Sequence, residues 1–160
     1  GSLVLLGRSM GGCASLLAAG QLGKRVKGLC LWATPGDLQV TFQSALGLAA
    51  YRQLQQGNTL ELEDEWGCLR LEPAFIGGFA SLNLPVKLAA LGAALPVLIL
   101  HGTEDELVPV EQAVAYADVA EGPCKLVIIK GADHQFSEHF RESAAAVAAW
   151  LGPWYTKISS

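Results

Sequence analysis

The stretch L-V-L-L-G-R-S-M-G-G, residues 3–12, constrains the fold of this chain more than any other feature of its sequence. An apolar, strand-like run leads directly into Ser9, and a run of small residues that suits a helix follows it. Gly7 and Gly11, on either side of Ser9, permit a sharp turn and a close approach of strand and helix where a Cβ would clash. The pattern predicts a strand-turn-helix junction with an exposed serine hydroxyl at its apex. The alternative is a serine that merely caps the helix.

Hydrophobic periodicity over the rest of the chain predicts a β-α-β-excursion-β-α-β-α order with four parallel strands. The predicted strands cover residues 3–6, 26–33, 95–100 and 125–129, and the predicted helices cover residues 12–22, 110–120 and 137–151, the last with Ser137 as its N-cap. In such open parallel sheets the functional crevice lies at the carboxyl ends of the strands, which is where Ser9 falls.

Residues 37–94 interrupt this order between the second and third strands. The pattern predicts an amphipathic helix over residues 41–56, then a hairpin with Trp66 and Gly67 near its turn, then short helical pieces broken by Gly77, Gly78 and Pro85. So long an excursion between two strands of one sheet is usually functional, and we expect a cap over the crevice, inserted in a single domain spanning residues 1–160.

Composition limits the class of protein and of partner. A chain of 160 residues with 51% hydrophobic and 16% charged residues suits a globular domain and not a disordered one. The net charge of −4, with no basic cluster beyond residues 24–27, argues against nucleic acid or an anionic membrane as a partner. No apolar run is long enough to span a bilayer and no secretory signal is recognisable, so we expect a cytoplasmic protein.

The cysteines give no sign of a metal or redox site. Cys13, Cys30, Cys68 and Cys124 show no C-x-x-C spacing, and Cys30 and Cys124 fall in or beside apolar strand-like runs, where free thiols are usually buried. We therefore expect reduced, structural thiols, with no metal and no cofactor.

A reactive serine needs a base to take its proton and a carboxylate to orient that base. Of the three histidines, His134 lies in a polar loop directly after the last strand, at the same sheet edge as Ser9. His139 falls on the final helix, where it is expected to be solvated, and His101 ends a strand and suits a residue that ties down a turn. His134 is the candidate base, with a structural loop histidine as the alternative.

The candidate carboxylate is Asp105, in a tight turn after the third strand, whose neighbours Glu104 and Glu106 are expected to face solvent. Asp37, just past the second strand, is the rival. Asp133 adjoins His134 in sequence, but adjacency directs the two side chains apart. The chain order is therefore serine, acid, histidine.

Three stretches, V-L-L-G-R-S-M-G-G, P-V-L-I-L-H-G-T-E-D-E-L-V-P and I-K-G-A-D-H-Q-F, resemble the nucleophile-strand, acid-turn and histidine-loop motifs of the α/β-hydrolases. The resemblance runs along nearly the whole chain and implies a three-layer α/β fold around a mostly parallel sheet. It implies Ser9 as nucleophile, Asp105 as acid, His134 as base and the backbone N–H of Met10 as one oxyanion donor. The excursion matches the place of the family's cap, and it is similar to caps of small carboxylesterases of the acyl or cinnamoyl ester type.

The sequence departs from that family before the serine, because members carry several further strands there, including the connection that supplies a second oxyanion donor. We therefore expect the C-terminal portion of a hydrolase, whose apolar first strand is an open edge that favours a homodimer or another association.

The first functional hypothesis is a serine hydrolase of carboxylic esters acting through an acyl-enzyme, with thioesters and amides also open. Phe42, Phe75, Phe79 and Trp66 suggest an apolar or aromatic acyl group, although such residues are more often core. The second hypothesis is a truncated fold without useful activity that serves as a self-associating or partner-binding module.

Overall fold

A computed structural model of the chain describes residues 1–64 and 67–158. In chain order the strands are β1 (Leu3–Arg8), β2 (Val26–Trp32), β3 (Leu60–Asp64), β4 (Gly67–Leu71), β5 (Val97–Gly102) and β6 (Cys124–Ile129). The helices are α1 (Met10–Leu22), α2 (Leu38–Leu46), α3 (Leu48–Gln55), α4 (Ala74–Gly77), α5 (Leu84–Ala89), α6 (Val110–Val119) and α7 (Phe140–Ile158). Short 3₁₀ turns cover Gly23–Arg25 and Phe79–Ser81.

The main sheet holds β1, β2, β5 and β6 side by side in that order, and every neighbouring pair is parallel. Strands β2 and β5 are buried almost throughout. Continuous apolar runs form such strands because a parallel sheet is covered by helices on both faces. The predicted α/β class and the parallel sheet are confirmed.

Helices cover both faces of this sheet and give three layers. On one face Cys30, Trp32, Leu98 and Leu100 form a core with Val147 of α7. Side chains alternate along a strand, so Leu29, Leu31 and Ile99 point to the opposite face, and they are buried as well. Helices α1, α5 and α6 pack against one another in the other layer, and α1 and α6 also contact the strands.

Helix α7 lies close against β2 at Gly28. A Cβ on Gly28 would lie 3.0 Å from ring atoms of both Trp150 and Trp154. The two indoles pack edge to face, with ring centroids 4.5 Å apart. Of the helices in residues 1–64 and 67–158, none is both long enough and apolar enough to cross a membrane.

Residues 37–83 form a compact unit of their own, and residues 1–36 and 84–160 form the other. In the smaller unit β3 and β4 make the predicted antiparallel hairpin, with Leu60 opposite Leu71 and Leu62 opposite Leu69. Its core contains Tyr51, Leu54 and Ile76. Trp66, which was expected near the hairpin turn, lies outside the described residues, and a cap function for this region stays a prediction.

Three predictions about helices and one about burial were wrong. The helix predicted over residues 41–56 is two helices, because Gly47 adopts φ 79°, a left-handed conformation that breaks the helical path. Pro85 does not break a helix, since it occupies the first turn of α5, where its missing N–H has no partner to lose. Ser137 is not the N-cap of the final helix, which begins at Phe140. Cys124 is exposed and not buried, because β6 is an edge strand.

Candidate active site

Ser9 occupies the turn between β1 and α1 in a strained conformation, φ 52° and ψ −126°, which a non-glycine residue rarely adopts. Its backbone N–H donates to the Trp32 carbonyl oxygen of β2 at 2.8 Å, which holds the turn at the carboxyl edge of the sheet. The hydroxyl makes no capping hydrogen bond to the helix. This geometry favours a half-buried hydroxyl presented at the turn over the alternative of a capping serine.

The close approach of strand and helix depends on Gly7 and Gly12. A Cβ on Gly7 would lie 2.1 Å from the carbonyl oxygen of Gly11, and one on Gly12 would lie 1.9 Å from Oγ1 of Thr34. A Cβ on Gly11 would meet nothing within 4 Å. The expectation that Gly11 prevents a clash was therefore wrong. Gly12, which the sequence reasoning treated only as helix, instead leaves room for the side chain of Thr34.

Asp105 lies in the turn after β5 with its carboxylate buried. Oδ1 accepts hydrogen bonds from the backbone N–H groups of Leu107, at 3.0 Å, and Val108, at 2.8 Å. Burial by itself raises the pKa of this carboxyl, but hydrogen bonds from His101, His134 and Val108 outweigh it and hold the pKa well below its usual range. Asp105 is therefore an ionised, acceptor-only group.

His134 lies between Asp105 and Ser9. Nδ1 is 2.9 Å from each carboxylate oxygen of Asp105, and Nε2 is 3.1 Å from Oγ of Ser9. Because an ionised carboxylate can only accept, Nδ1 carries the proton, and in the neutral ring Nε2 is left as an acceptor for the serine hydroxyl. The structure thus brings the three predicted residues into one hydrogen-bonded chain, in the order that base activation of a serine requires.

Contacts to the main chain of His134, and the packing of Phe136 two residues further on, hold the histidine loop in place. Its N–H donates to Oε2 of Glu106 at 3.1 Å, and its carbonyl accepts from Nη1 of Arg8 at 3.4 Å. Phe136, at φ 57°, is fully buried and packs edge to face on Trp32 with centroids 5.4 Å apart. Sequence reasoning missed all three contacts. Glu106 does face solvent as expected, but it also binds the histidine loop.

The other candidates lie elsewhere. Asp37 caps α2, where Oδ1 accepts from the N–H of Val40 at 2.9 Å. Asp133 accepts from the N–H and hydroxyl of Ser137, at 2.9 and 2.8 Å, so its carboxylate serves the turn before α7. His139 lies in that same turn and not on a helix.

His101 is 1% exposed, and its Nε2 donates to the carbonyl of Val108 at 2.8 Å, so it ties down the turn as predicted. It also lies 3.2 Å from Oδ2 of Asp105, a contact that the sequence did not reveal.

The family that the whole chain matches agrees with this geometry. The model of the prolyl oligopeptidase family matches residues 1–157. The chain belongs to the prolyl oligopeptidase family. It is a family of hydrolases, and this member has the α/β-hydrolase fold, as the sequence motifs implied.

The similar proteins named here are longer than this chain. It is 30% identical over 145 residues to the palmitoyl-protein thioesterase ABHD10, mitochondrial, of Mus musculus, a match that covers 86% of the chain and 47% of that protein. Est1E from Butyrivibrio proteoclasticus has a TM-score of 0.71 at 23% identity, covering 100% of this chain and 63% of that one. Est1E with ferulic acid bound has a TM-score of 0.70 at 22% identity, covering 100% and 61%. The chain thus spans about half the length of the thioesterase and less than two-thirds of Est1E.

In this family member the predicted oxyanion donor, Met10, is the first residue of α1. N–H groups in the first turn of a helix have no partner within the helix and point out of its positive end. Met10 therefore presents its N–H at the position directly after Ser9, and its function as an oxyanion donor stays a prediction.

A thiol lies close to the turn at Ser9 without competing with the serine. Cys13 is buried, and its Sγ donates to the carbonyl oxygen of Pro35 at 3.5 Å. Burial raises the pKa of this thiol to about 12, as it does for Cys30. Since a thiol must ionise to be nucleophilic, both cysteines are inert at neutral pH.

Proposed function

We propose that the chain is a serine hydrolase of carboxylic esters that works through an acyl-enzyme intermediate. One observation carries the proposal: Nε2 of His134 lies 3.1 Å from Oγ of Ser9 while Nδ1 lies 2.9 Å from both oxygens of Asp105. Family membership supports hydrolysis as the class of reaction.

In the proposed reaction, Nε2 of His134 takes the proton of Ser9 as Oγ attacks the carbonyl carbon of the ester. The Met10 N–H stabilises the oxyanion, and Asp105 stabilises the imidazolium that forms. His134 then returns the proton to the leaving alcohol, and the acyl group stays on Oγ. A water molecule, deprotonated by His134, attacks the acyl-enzyme. His134 then gives that proton to Oγ of Ser9 as the bond to the acyl group breaks and the acid leaves.

For the acyl group we propose an apolar chain or an aromatic acid, joined as an ester or a thioester. The similarity to a palmitoyl-protein thioesterase and to a protein that binds ferulic acid supports these two classes. In residues 37–83 the rings of Phe42, Phe75 and Phe79 pack against one another at 5.0–5.2 Å. This packing fits a small core, and an acyl-binding function for the three rings stays a prediction.

The test is covalent labelling. A fluorophosphonate should add to the chain once, and peptide mass spectrometry should place the adduct on Ser9. Ser9→Ala should abolish it, whereas Ser137→Ala, which removes a nearby hydroxyl outside the hydrogen-bonded chain, should label like the wild type. Hydrolysis of p-nitrophenyl butyrate, a feruloyl ester and a palmitoyl thioester then ranks the substrates. Equal ester turnover by the wild type and Ser9→Ala would refute the proposal.

A second function, self-association, rests on a different observation. Among the described strands β1 pairs only with β2, and Leu6 on it is 46% exposed. A sheet edge with an exposed apolar side chain can pair with another chain. The proposed occupant of this edge is a second copy, which would extend the sheet across a twofold axis.

Sedimentation at micromolar concentration should give a dimer if this edge pairs. Leu6→Lys should raise the dissociation constant of the dimer at least about tenfold, because a charged residue on an edge opposes pairing. The matched control is Ile128→Lys on the opposite edge strand β6, where Ile128 is 38% exposed. A wild-type monomer, or equal effects of the two substitutions, would refute pairing through β1.

A further inference from the structure

The proposed mechanism uses one histidine at the acid, but Asp105 contacts two. His134 reaches the carboxylate from the loop after β6, and His101 reaches it from the end of β5. His101 is among the least exposed polar residues of the described chain, at 1%. A buried titratable ring with no part in the reaction needs an explanation.

The contacts of His101 fix where its proton is. Nε2 lies 2.8 Å from the carbonyl oxygen of Val108, which can only accept, so Nε2 carries a hydrogen. Nδ1 is buried and has no hydrogen-bond partner among the described residues. A hydrogen on Nδ1 would be a buried donor without an acceptor, which costs free energy. The geometry therefore favours the tautomer with its hydrogen on Nε2.

That single hydrogen lies between two acceptors, because Oδ2 of Asp105 is 3.2 Å from the same Nε2. His101 also secures the acid indirectly. It binds the carbonyl of Val108, and the N–H of Val108 donates to Oδ1 of Asp105 at 2.8 Å. The ring therefore contacts one carboxylate oxygen and holds the residue that contacts the other.

We propose that His101 is a positioning residue that fixes the carboxylate of Asp105 in the orientation that His134 requires. It acts only through Asp105 and touches neither Ser9 nor the reacting atoms. The inference rests on the proposed function, since it assigns a second histidine to the acid of the same site. Its consequence is that Asp105 is a weaker base than a carboxylate bound to one histidine alone.

The variants follow from the ring geometry. His101→Leu fills the space and removes the donor, whereas His101→Gln places an amide N–H near the position of Nε2. Thr103→Val is the matched control: Oγ1 of Thr103 accepts from the N–H of Gly131 at 2.8 Å, so this change loosens the same pair of loops without touching Asp105.

The decisive measurement is the titration of the Asp105 carboxyl carbon by ¹³C NMR, which needs no activity. Losing one hydrogen bond to the charged form should raise the carboxyl pKa by about one unit in His101→Leu. His101→Gln should restore most of the difference, and Thr103→Val should match the wild type. The other titratable groups at this carboxylate are His134, from the loop after β6, and Glu106, which binds the backbone of His134.

Serine labelling supplies the second readout. The rate of fluorophosphonate addition near neutral pH should fall about tenfold in His101→Leu, because a carboxylate that is no longer held in place orients His134 less well, and His101→Gln should restore most of the rate. A histidine that only tied down a turn would lower the labelling rate or the folded fraction and leave the titration of the Asp105 carboxyl as in the wild type.

The outcomes separate the two proposals. Unchanged carboxyl titration in a folded His101→Leu, or an equal effect of Gln and Leu, overturns the positioning function while leaving the hydrolase proposal intact. If the wild type does not label but the Asp105 carboxyl pKa shifts as expected in His101→Leu, the hydrolase proposal is refuted and the contact between His101 and Asp105 is supported. If His101→Leu does not fold, ¹⁵N NMR of the wild-type ring decides: a hydrogen on Nδ1 of His101 overturns the inference.

Discussion

His134→Ala is expected to lower the rate of Ser9 acylation by at least about ten-thousand-fold. The physical reason is that a serine hydroxyl at neutral pH is a poor nucleophile until a base takes its proton. In the described chain the group at hydrogen-bond distance from that hydroxyl is Nε2 of His134, at 3.1 Å. Alanine also leaves the Asp105 carboxylate without one of its donors.

The measurement is the second-order rate constant for fluorophosphonate labelling, followed by burst kinetics with p-nitrophenyl butyrate. His139→Ala is the matched control, because His139 lies five residues further along the chain, in the turn before α7, and binds neither Asp105 nor Ser9. It should retain the wild-type rate within about twofold. A His134→Ala protein that labels within about tenfold of the wild type would show that another group activates the serine.

Gly7→Ala is expected to destabilise the protein by about 3 kcal/mol or more, a large part of the stability of a domain of this size. The added Cβ would lie 2.1 Å from the carbonyl oxygen of Gly11 and 2.5 Å from the backbone nitrogen of Gly12. Both are main-chain atoms at the start of α1, so no side chain can move aside. Strand and helix must separate, and this displaces Ser9 from His134.

Urea denaturation followed by circular dichroism measures the effect, with Gly11→Ala as the control. Gly11 is exposed near the start of α1, and a Cβ there meets nothing within 4 Å, so the change should be neutral or stabilise by up to about 1 kcal/mol. If Gly7→Ala and Gly11→Ala had the same midpoint of urea denaturation, the close approach of residue 7 to the main chain of α1 would not determine the stability of the fold.

The elements whose pattern is set within a few residues were predictable. The apolar runs of β2 and β5 and the alternation of the β3–β4 hairpin identify strands, because burial on two faces or on one face leaves its own period in the sequence. The meeting of Ser9, Asp105 and His134 at one site was predictable for a related reason. Each follows a strand of one parallel sheet, and those strands end at the same edge.

Elements decided by a balance between local and distant contacts were not predictable. Helical periodicity continues across Gly47, but that residue adopts positive φ and ends α2 there. Ser137 has the residue type of an N-cap, yet Asp133 binds both its N–H and its hydroxyl in a turn, so α7 begins at Phe140. In each case the local pattern permitted two conformations that differ by little free energy.

The sequence by itself determined the α/β class, the strand-turn-helix junction and the candidate residues Ser9, Asp105 and His134, because these depend on short-range patterns and on the shared edge of parallel strands. Only the tertiary structure decided what surrounds them. The contact of His101 with Asp105, four residues further on, depends on how the turn after β5 folds. The bonds from Arg8 and Glu106 to the backbone of His134, and the packing of Gly12 on Thr34, join residues from separate loops and elements. Such contacts depend on distances across the folded chain, which leave no period or motif in the sequence.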